Sequence, residues 1–307
     1  MNVGMFMIAL GIAFCENFGI AFYLRRGLRN MNIKSHIELS MVIPLSLIGG
    51  GVLYGIWHGF TVGYSFGAVL TAFVLTLFRG LGISLGLHRH DTHKSFKAHP
   101  FFQFFLAICH WTGGMRKKTW VPDHEQHHRY EDTIRDPHSP WAPFNGGWRG
   151  WLWSDVGWLL VKRDLHVPML TNPSFLNVER YLFPPCFALG FAIPWYFFGL
   201  EGFLLCGCMS VAYIFKTAFG VNSSGHMFGR AVNKKSKSRN ASWFIALITM
   251  VGEKYHANHH VDQSSAFLGW RAYDIDAGKW LLLGLEKLGI VYDVKRPRNY
   301  YLISTAS

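Results

Sequence analysis

The stretch Leu182 to Phe215 is 34 residues long and carries one charged side chain, Glu201. As a single helix it would extend about 51 Å at 1.5 Å per residue, against a hydrocarbon core of about 30 Å. It must therefore fold back on itself, and FGLEG at 198–202 is where a reversal is expected. Val42 to Trp57 and Tyr64 to Leu87 are two further apolar runs, joined by the uncharged hexapeptide HGFTVG at 58–63. They predict a second helical hairpin, so both hairpins begin and end on one side of the bilayer.

The expected fold is thus an all-α integral membrane protein of two transmembrane hairpins, four core helices in all. Met5 to Leu24 is also long enough to cross. It is read either as an extra N-terminal transmembrane helix or as a helix lying in the interface. A cleaved signal is excluded, because no basic side chain precedes this run and Glu16 interrupts it. The expected organisation is residues 1–40 as the N-terminal apolar helix with its basic loop and 41–307 as one domain. That domain comprises hairpin 42–87, cap 88–181, hairpin 182–220 and C-terminal cap 221–307. Phe101 to Trp111 is apolar but too short to span, which predicts a helix at the interface or beneath the cap.

With 30 Lys and Arg against 18 Asp and Glu, the formal charge is +12 and must crowd outside the lipid. The basic segments 25–34, 116–118 and 234–239 fall where the hairpins open, while the hairpin tips carry no Lys or Arg. The positive-inside rule then turns that side, and the cap, to the cytoplasm. Anionic lipid heads, CoA phosphates or an acidic carrier are the expected partners of such a surface, and nothing suggests nucleic acid. The five cysteines show no paired spacing and predict no disulfide framework.

Histidine occurs 16 times and clusters as HRHDTH (88–93), HEQHH (124–128) and HANHH (256–260). In an HxxHH box, positions i, i+3 and i+4 share one helix face, so each box is expected to present three imidazoles to a single point. His88 and His93 lie about 140° apart on an ideal α-helix, so they are expected to converge through a frayed helix end. His88, His93, His124, His127, His128, His256, His259 and His260 together exceed what one first-row ion accepts, which predicts a dinuclear centre. The absence of a Cys motif disfavours iron–sulfur and structural zinc, and iron suits imidazole with open positions for dioxygen. His90 is expected to face outward, and His138 to order a loop with Asp136.

The segments GLHRHDTHKSF, WVPDHEQHHRYEDTIRDPHSP, GWLLVKR, VNSSGH and GEKYHANHH, in this order, resemble the membrane fatty acyl desaturase family, with similarity to acyl-CoA and acyl-lipid delta-9-type members. The resemblance runs from about Val42 to Pro297. It implies two irons as cofactor, held by the histidine boxes plus His226, with Asn222 holding a metal-bound water; a plain helix-end cap is the other reading of Asn222. It further implies, from the acyl-CoA members, that Trp120 lies near the acyl tunnel and that Lys162 and Arg163 lie near the CoA phosphates, although snorkelling cations would look the same. MRKK at 115–118 departs from the polar, acidic residues of the animal acyl-CoA members.

An alkyl C–H has no acidity and no leaving group, so side-chain acid–base or nucleophilic chemistry cannot remove its hydrogens. The expected activity is an oxidoreductase that introduces a cis double bond into a long acyl chain on CoA, carrier protein or lipid, using dioxygen. Two electrons must come from an external donor such as a ferredoxin or small cytochrome with its reductase. A hydroxylase or acetylenase of the same fold is the alternative, and a histidine-rich metal transporter the remote one. The expected location is a bacterial inner membrane, or the ER membrane in a eukaryote.

Overall fold

The computed structural model describes residues 2–163, 173–232, 236–241 and 250–298. Helix α1 (Val3–Asn30) packs along α2 (Leu39–Thr61), whereas α3 (Phe66–Leu81) returns packed against the later stretch Gly202–Met209, which also touches α2, and continues as a π-helix, Gly82–Thr92. Helix α8 (Pro173–Glu201) reverses at Gly199, whose φ of 55° a side chain would resist, and the chain returns through a π-helical stretch, Gly202–Met209, into α9 (Ser210–Met227). The reversal falls inside the segment the run length required.

Among the described residues, four helical stretches are long and apolar enough to cross a membrane: Val3–Asn30, Leu39–Thr61, Phe66–Thr92 and the folded-back Asn177–Met227. The protein is an all-α integral membrane protein. At the tips, the Glu201 carboxylate accepts hydrogen bonds from the Ser65 amide (2.8 Å) and hydroxyl (2.6 Å), fastening one hairpin to the other. The small residues of α2 let α1 approach closely; a Cβ at Gly50 would stand 2.8 Å from the Leu10 Cα.

The cap is built from short elements on the side where the hairpins open. Helix α4 (Pro100–Thr112) is the short apolar run and crosses beneath the cap, burying Trp111 completely. It presses on the π-helix so tightly that a Cβ at Gly82 would meet the His110 amide nitrogen. Helix α5 (Lys117–Arg129) carries the second histidine box, and α10 (His256–Val261), entered through a 3₁₀ turn at Met250–Tyr255, carries the third. Between them come α6 (Gly147–Leu152), a π turn (Trp153–Gly157) and α7 (Trp158–Leu160).

Two small antiparallel ladders close the cap. Strand β1 (Ser35–Ile37) pairs with β3 (Val161–Arg163), and β2 (Lys97–Ala98) with β4 (Val291–Tyr292), beside α11 (Ala277–Lys287). A core of Leu85, Phe96, Leu106, Phe267, Leu282 and Val291 joins the membrane half to the C-terminal cap. The basic stretch 234–239 lies partly outside the described residues, as does the connection before α8.

Candidate metal centre

All nine histidines expected at the centre converge, in two groups. Ring nitrogens of His88, His93, His124, His128 and His259 lie within 4.8 Å of one another, as do those of His127, His226, His256 and His260. In the five-histidine group the Nε2 separations are 3.0 Å (His88 to His259), 3.1 Å (His93 to His124), 3.1 Å (His124 to His128) and 2.9 Å (His128 to His259). In the four-histidine group they are 3.2 Å (His127 to His260), 2.8 Å (His226 to His256) and 3.0 Å (His256 to His260).

These separations fit a shared cation. Donors about 2.1 Å from a common ion and at right angles to each other stand about 3.0 Å apart. Hydrogen bonding among neutral rings does not account for them, since His124 and His128 each turn one Nε2 toward two neighbours. Burial, reinforced by the neighbouring imidazoles, holds His93, His124, His128, His256, His259 and His260 well below the ordinary imidazole range. Neutral rings keep the lone pair a metal needs.

Two expectations are corrected here. Neither HxxHH box aims at one point: His124 and His128 serve the five-histidine group while His127 serves the other, and His256 and His260 serve the four-histidine group while His259 crosses over. The i and i+4 residues are 40° apart on a helix, whereas i+3 lies 100° from i+4, so a box spans two neighbouring sites. His88 and His93 also do not rely on fraying. Their backbone is π-helical, with the His93 amide donating to the His88 carbonyl at 3.1 Å, and the wider turn returns residue i+5 to the face of residue i.

Carboxylates support the rings from behind. Glu253 meets His88 Nδ1 at 3.0 Å, Asp136 meets His127 Nδ1 at 2.8 Å, Glu131 meets His260 Nδ1 at 3.1 Å and Asp132 lies 3.6 Å from His226 Nδ1. Such partners fix ring orientation and raise ligand basicity. Burial alone would raise the Asp136 and Glu253 carboxyls, but His127 beside the first, and His88 with Arg89 beside the second, hold both below the usual range. These acids were missed in the sequence except Asp136; the signal was their place within HHRYED and three residues before HANHH.

His90 turns to Asp91 (2.9 Å) and joins neither group. The His138 amide donates to Asp136 Oδ1 at 3.1 Å, and its ring lies 4.5 Å from that of His127. Asn222 is buried one helical turn before His226. Trp120 stacks at 23° on His124, ring centroids 5.9 Å apart. It also lines a cavity of about 490 Å³ whose walls include Pro44 and Ile48 of α2, Phe187 of α8 and Phe215 and Phe219 of α9. Asp123 faces the same cavity and is pushed up to about 6 by burial, with Lys162 opposing.

The expected basic pair is divided by strand alternation. Lys162 is exposed, whereas Arg163 is buried, donating to the Ile134 and Asp136 carbonyls over the Trp153 ring. MRKK likewise has structural partners: Lys117 is buried against Asp91 (2.9 Å), and Glu179 accepts the Lys117 and Lys118 amides, capping α5. Arg116 stacks on Phe183, 5.1 Å from the ring centroid.

Residues 14–268 match the family described as fatty acid desaturase, and the chain belongs to it. It is 31% identical to the sn-1 stearoyl-lipid 9-desaturase of Anabaena variabilis, over 76% of this chain and 85% of that protein. It is 32% identical to the acyl-CoA Delta(11) desaturase of Choristoneura rosaceana, over 79% of this chain and 75% of the relative. The hex-5-enoyl-[acyl-carrier protein] acetylenase of Moorena producens (strain JHB) is also 32% identical, over 85% and 81%. The protein is thus a membrane-embedded oxidoreductase of the desaturase family with a histidine-lined metal site.

Proposed function

We propose that the chain inserts a cis double bond into a long acyl chain at two irons, one held by His88, His93, His124, His128 and His259 and the other by His127, His226, His256 and His260. The observation that carries this reading is the juxtaposition of the paired nitrogen clusters with an apolar cavity, for Trp120 both stacks on His124 and lines that cavity. The overall change removes two hydrogens from adjacent methylenes while dioxygen, two electrons and two protons become two waters. Bound iron supplies the dioxygen activation needed to break an unactivated C–H bond.

The chain's own residues position and shield. Asp136, Asp132, Glu131 and Glu253 orient the imidazoles, and Arg163 braces the Asp136 loop through two backbone carbonyls. Trp120, Phe215 and Phe219 form an apolar wall that directs the acyl chain past the clusters and excludes water. Asn222 is the residue we assign to hold a water against the four-histidine cluster. Lys162 presents the charge at the rim. The electron donor is a ferredoxin or small cytochrome, whose acidic face suits the basic cap. The cap faces the cytoplasm of a bacterial inner membrane, on the strength of the basic segments beside it.

Mass spectrometry of total fatty acids, with double-bond localisation, in cells expressing the protein and a His128→Ala control tests this directly. A new alkene lost in the control is the expected result; an unchanged profile with no bound metal overturns it. The similarity to an acetylenase favours one second reading, in which the product is a triple bond, and the same spectra distinguish the two.

A further inference from the structure

A second concavity of about 470 Å³ lies where α1 ends and β1 begins, lined by Arg25, Arg29, Asn32, Ile33, Lys34, Ser35 and His36. Its shape is fixed by backbone contacts. The Ile33 amide returns to the Leu28 carbonyl (2.9 Å), the Asn32 amide returns to the Arg29 carbonyl (3.0 Å), and Asn32 takes a φ of 57° to close the turn. Arg25 Nε donates to the Ser35 carbonyl at 3.2 Å, tying the helix to the strand. The groove therefore holds three permanent cations, and no carboxylate is among its described lining residues. A concave surface of one charge sign focuses its field on a counter-ion.

The β1–β3 ladder sets this groove beside the acyl cavity. In the β1–β3 ladder His36 is the direct partner of Lys162, so the two side chains stand on the same outer face. His36 lines the groove and Lys162 lines the cavity. A molecule whose tail occupies the cavity has its head beside this ladder, within reach of the cations. The α1 end also lies at the edge of a membrane-spanning stretch, the depth at which a lipid carries its phosphate.

We propose that the groove formed by Arg25, Arg29, Lys34 and His36 binds the phosphate of the acyl donor's head group while the attached chain enters the cavity across the His36–Lys162 pair. This rests on the reading of that cavity as the acyl site. Guanidinium groups favour phosphate oxygens through paired N–H donors, and the Glu38 carboxylate stands 3.9 Å from His36 at the groove's edge rather than among its lining residues. Phosphate is common to a phospholipid and to CoA, so the two donors are separated by experiment.

The probe is neutral parinaroyl methyl ester bound by the full-length protein in phosphate-free dodecyl maltoside micelles, followed by its fluorescence. Stearoyl-CoA and distearoyl phosphatidylglycerol are the competitors. The Arg29→Glu/Lys34→Glu variant should weaken at least one competitor by about tenfold or more while ester binding is unchanged; the competitor that weakens is the donor class. Arg26→Glu, an exposed charge outside the groove, should leave both competitors within about twofold. The proposal is overturned if neither competitor weakens, if the ester weakens in parallel, or if Arg26→Glu reproduces the loss, since general surface charge then suffices. Ile48→Trp should expel the ester. If wild type fails to bind it or Ile48→Trp has no effect, the acyl-cavity reading falls and the head-group assignment with it, a result distinct from failure of the groove alone.

Discussion

The two histidine clusters are built from the same boxes yet differ in opposite ways. Among the described residues, one has five imidazoles and a single supporting carboxylate, Glu253; the other has four imidazoles and three carboxylates, Asp136, Asp132 and Glu131. Neutral nitrogens supply donor number, whereas the acids behind them supply negative charge and fix the rings. The four-histidine cluster is thus better suited to a more highly charged ion, and the five-histidine cluster to holding its ion by coordination number. Together the two clusters set four carboxylates behind nine imidazoles.

The largest effect should come from the ligands. His260→Ala leaves three imidazoles in its cluster and should reduce bound iron from about two to about one per chain. His128→Ala leaves four and should retain close to two when iron is in excess. Both should lose desaturation, and equal metal loss in the two variants, read by elemental analysis, would erase the distinction.

The carboxylates come next. Asp136→Asn should weaken iron binding at the four-histidine cluster by about 10–100-fold, and Glu253→Gln should do the same only at the five-histidine cluster. Glu131→Gln should matter less, because its side chain is 24% exposed and water can replace it. Iron titrations with Mössbauer detection separate the sites.

Acidification sharpens the comparison. His93, His124, His128 and His259 are held well below the ordinary imidazole value near 6.5 by burial and each other, so protons compete for them only in stronger acid. Burial also acts to lower His127, but Asp136, Glu131 and Asp132 more than reverse it and raise it. His256 and His260 of the same cluster are held well below the ordinary value too, so the difference rests on His127, whose raised value means protonation already above about 6.5. Through that one ligand the four-histidine cluster should release iron first as pH falls. Metal content against pH should show two steps; one step would contradict the assignment.

The smallest effect is expected at Lys117, which links the first box to α5 through Asp91. Lys117→Met should lower stability by about 1–3 kcal/mol in thermal unfolding, from the buried Asp91 carboxylate left with His90 and without its cation from α5. The four-histidine cluster should keep its iron.

Much of this was legible along the chain because it depends on local spacing. The length of 182–215 forced a reversal, and Gly199 makes it; the HxxHH spacing put imidazoles on one side of α5 and α10. The split of each box between two sites was not legible. It depends on where His226 of α9 and the π-helical His88 and His93 stand relative to those helices. Lys162 and Arg163 both line the cavity, but only the fold shows that the first is exposed while the second is buried and tied to the Ile134 and Asp136 carbonyls.

What the sequence by itself determined is therefore the membrane architecture and the eight box imidazoles, because hydrophobic length and helical periodicity are properties of neighbouring residues, whereas His226 entered only through the family resemblance. Only the tertiary structure decided which imidazoles group together, which acids support them, and that a basic groove stands beside the Trp120 cavity. Those relations join residues as far apart as His88 and Glu253 or His36 and Lys162, and packing alone brings them together.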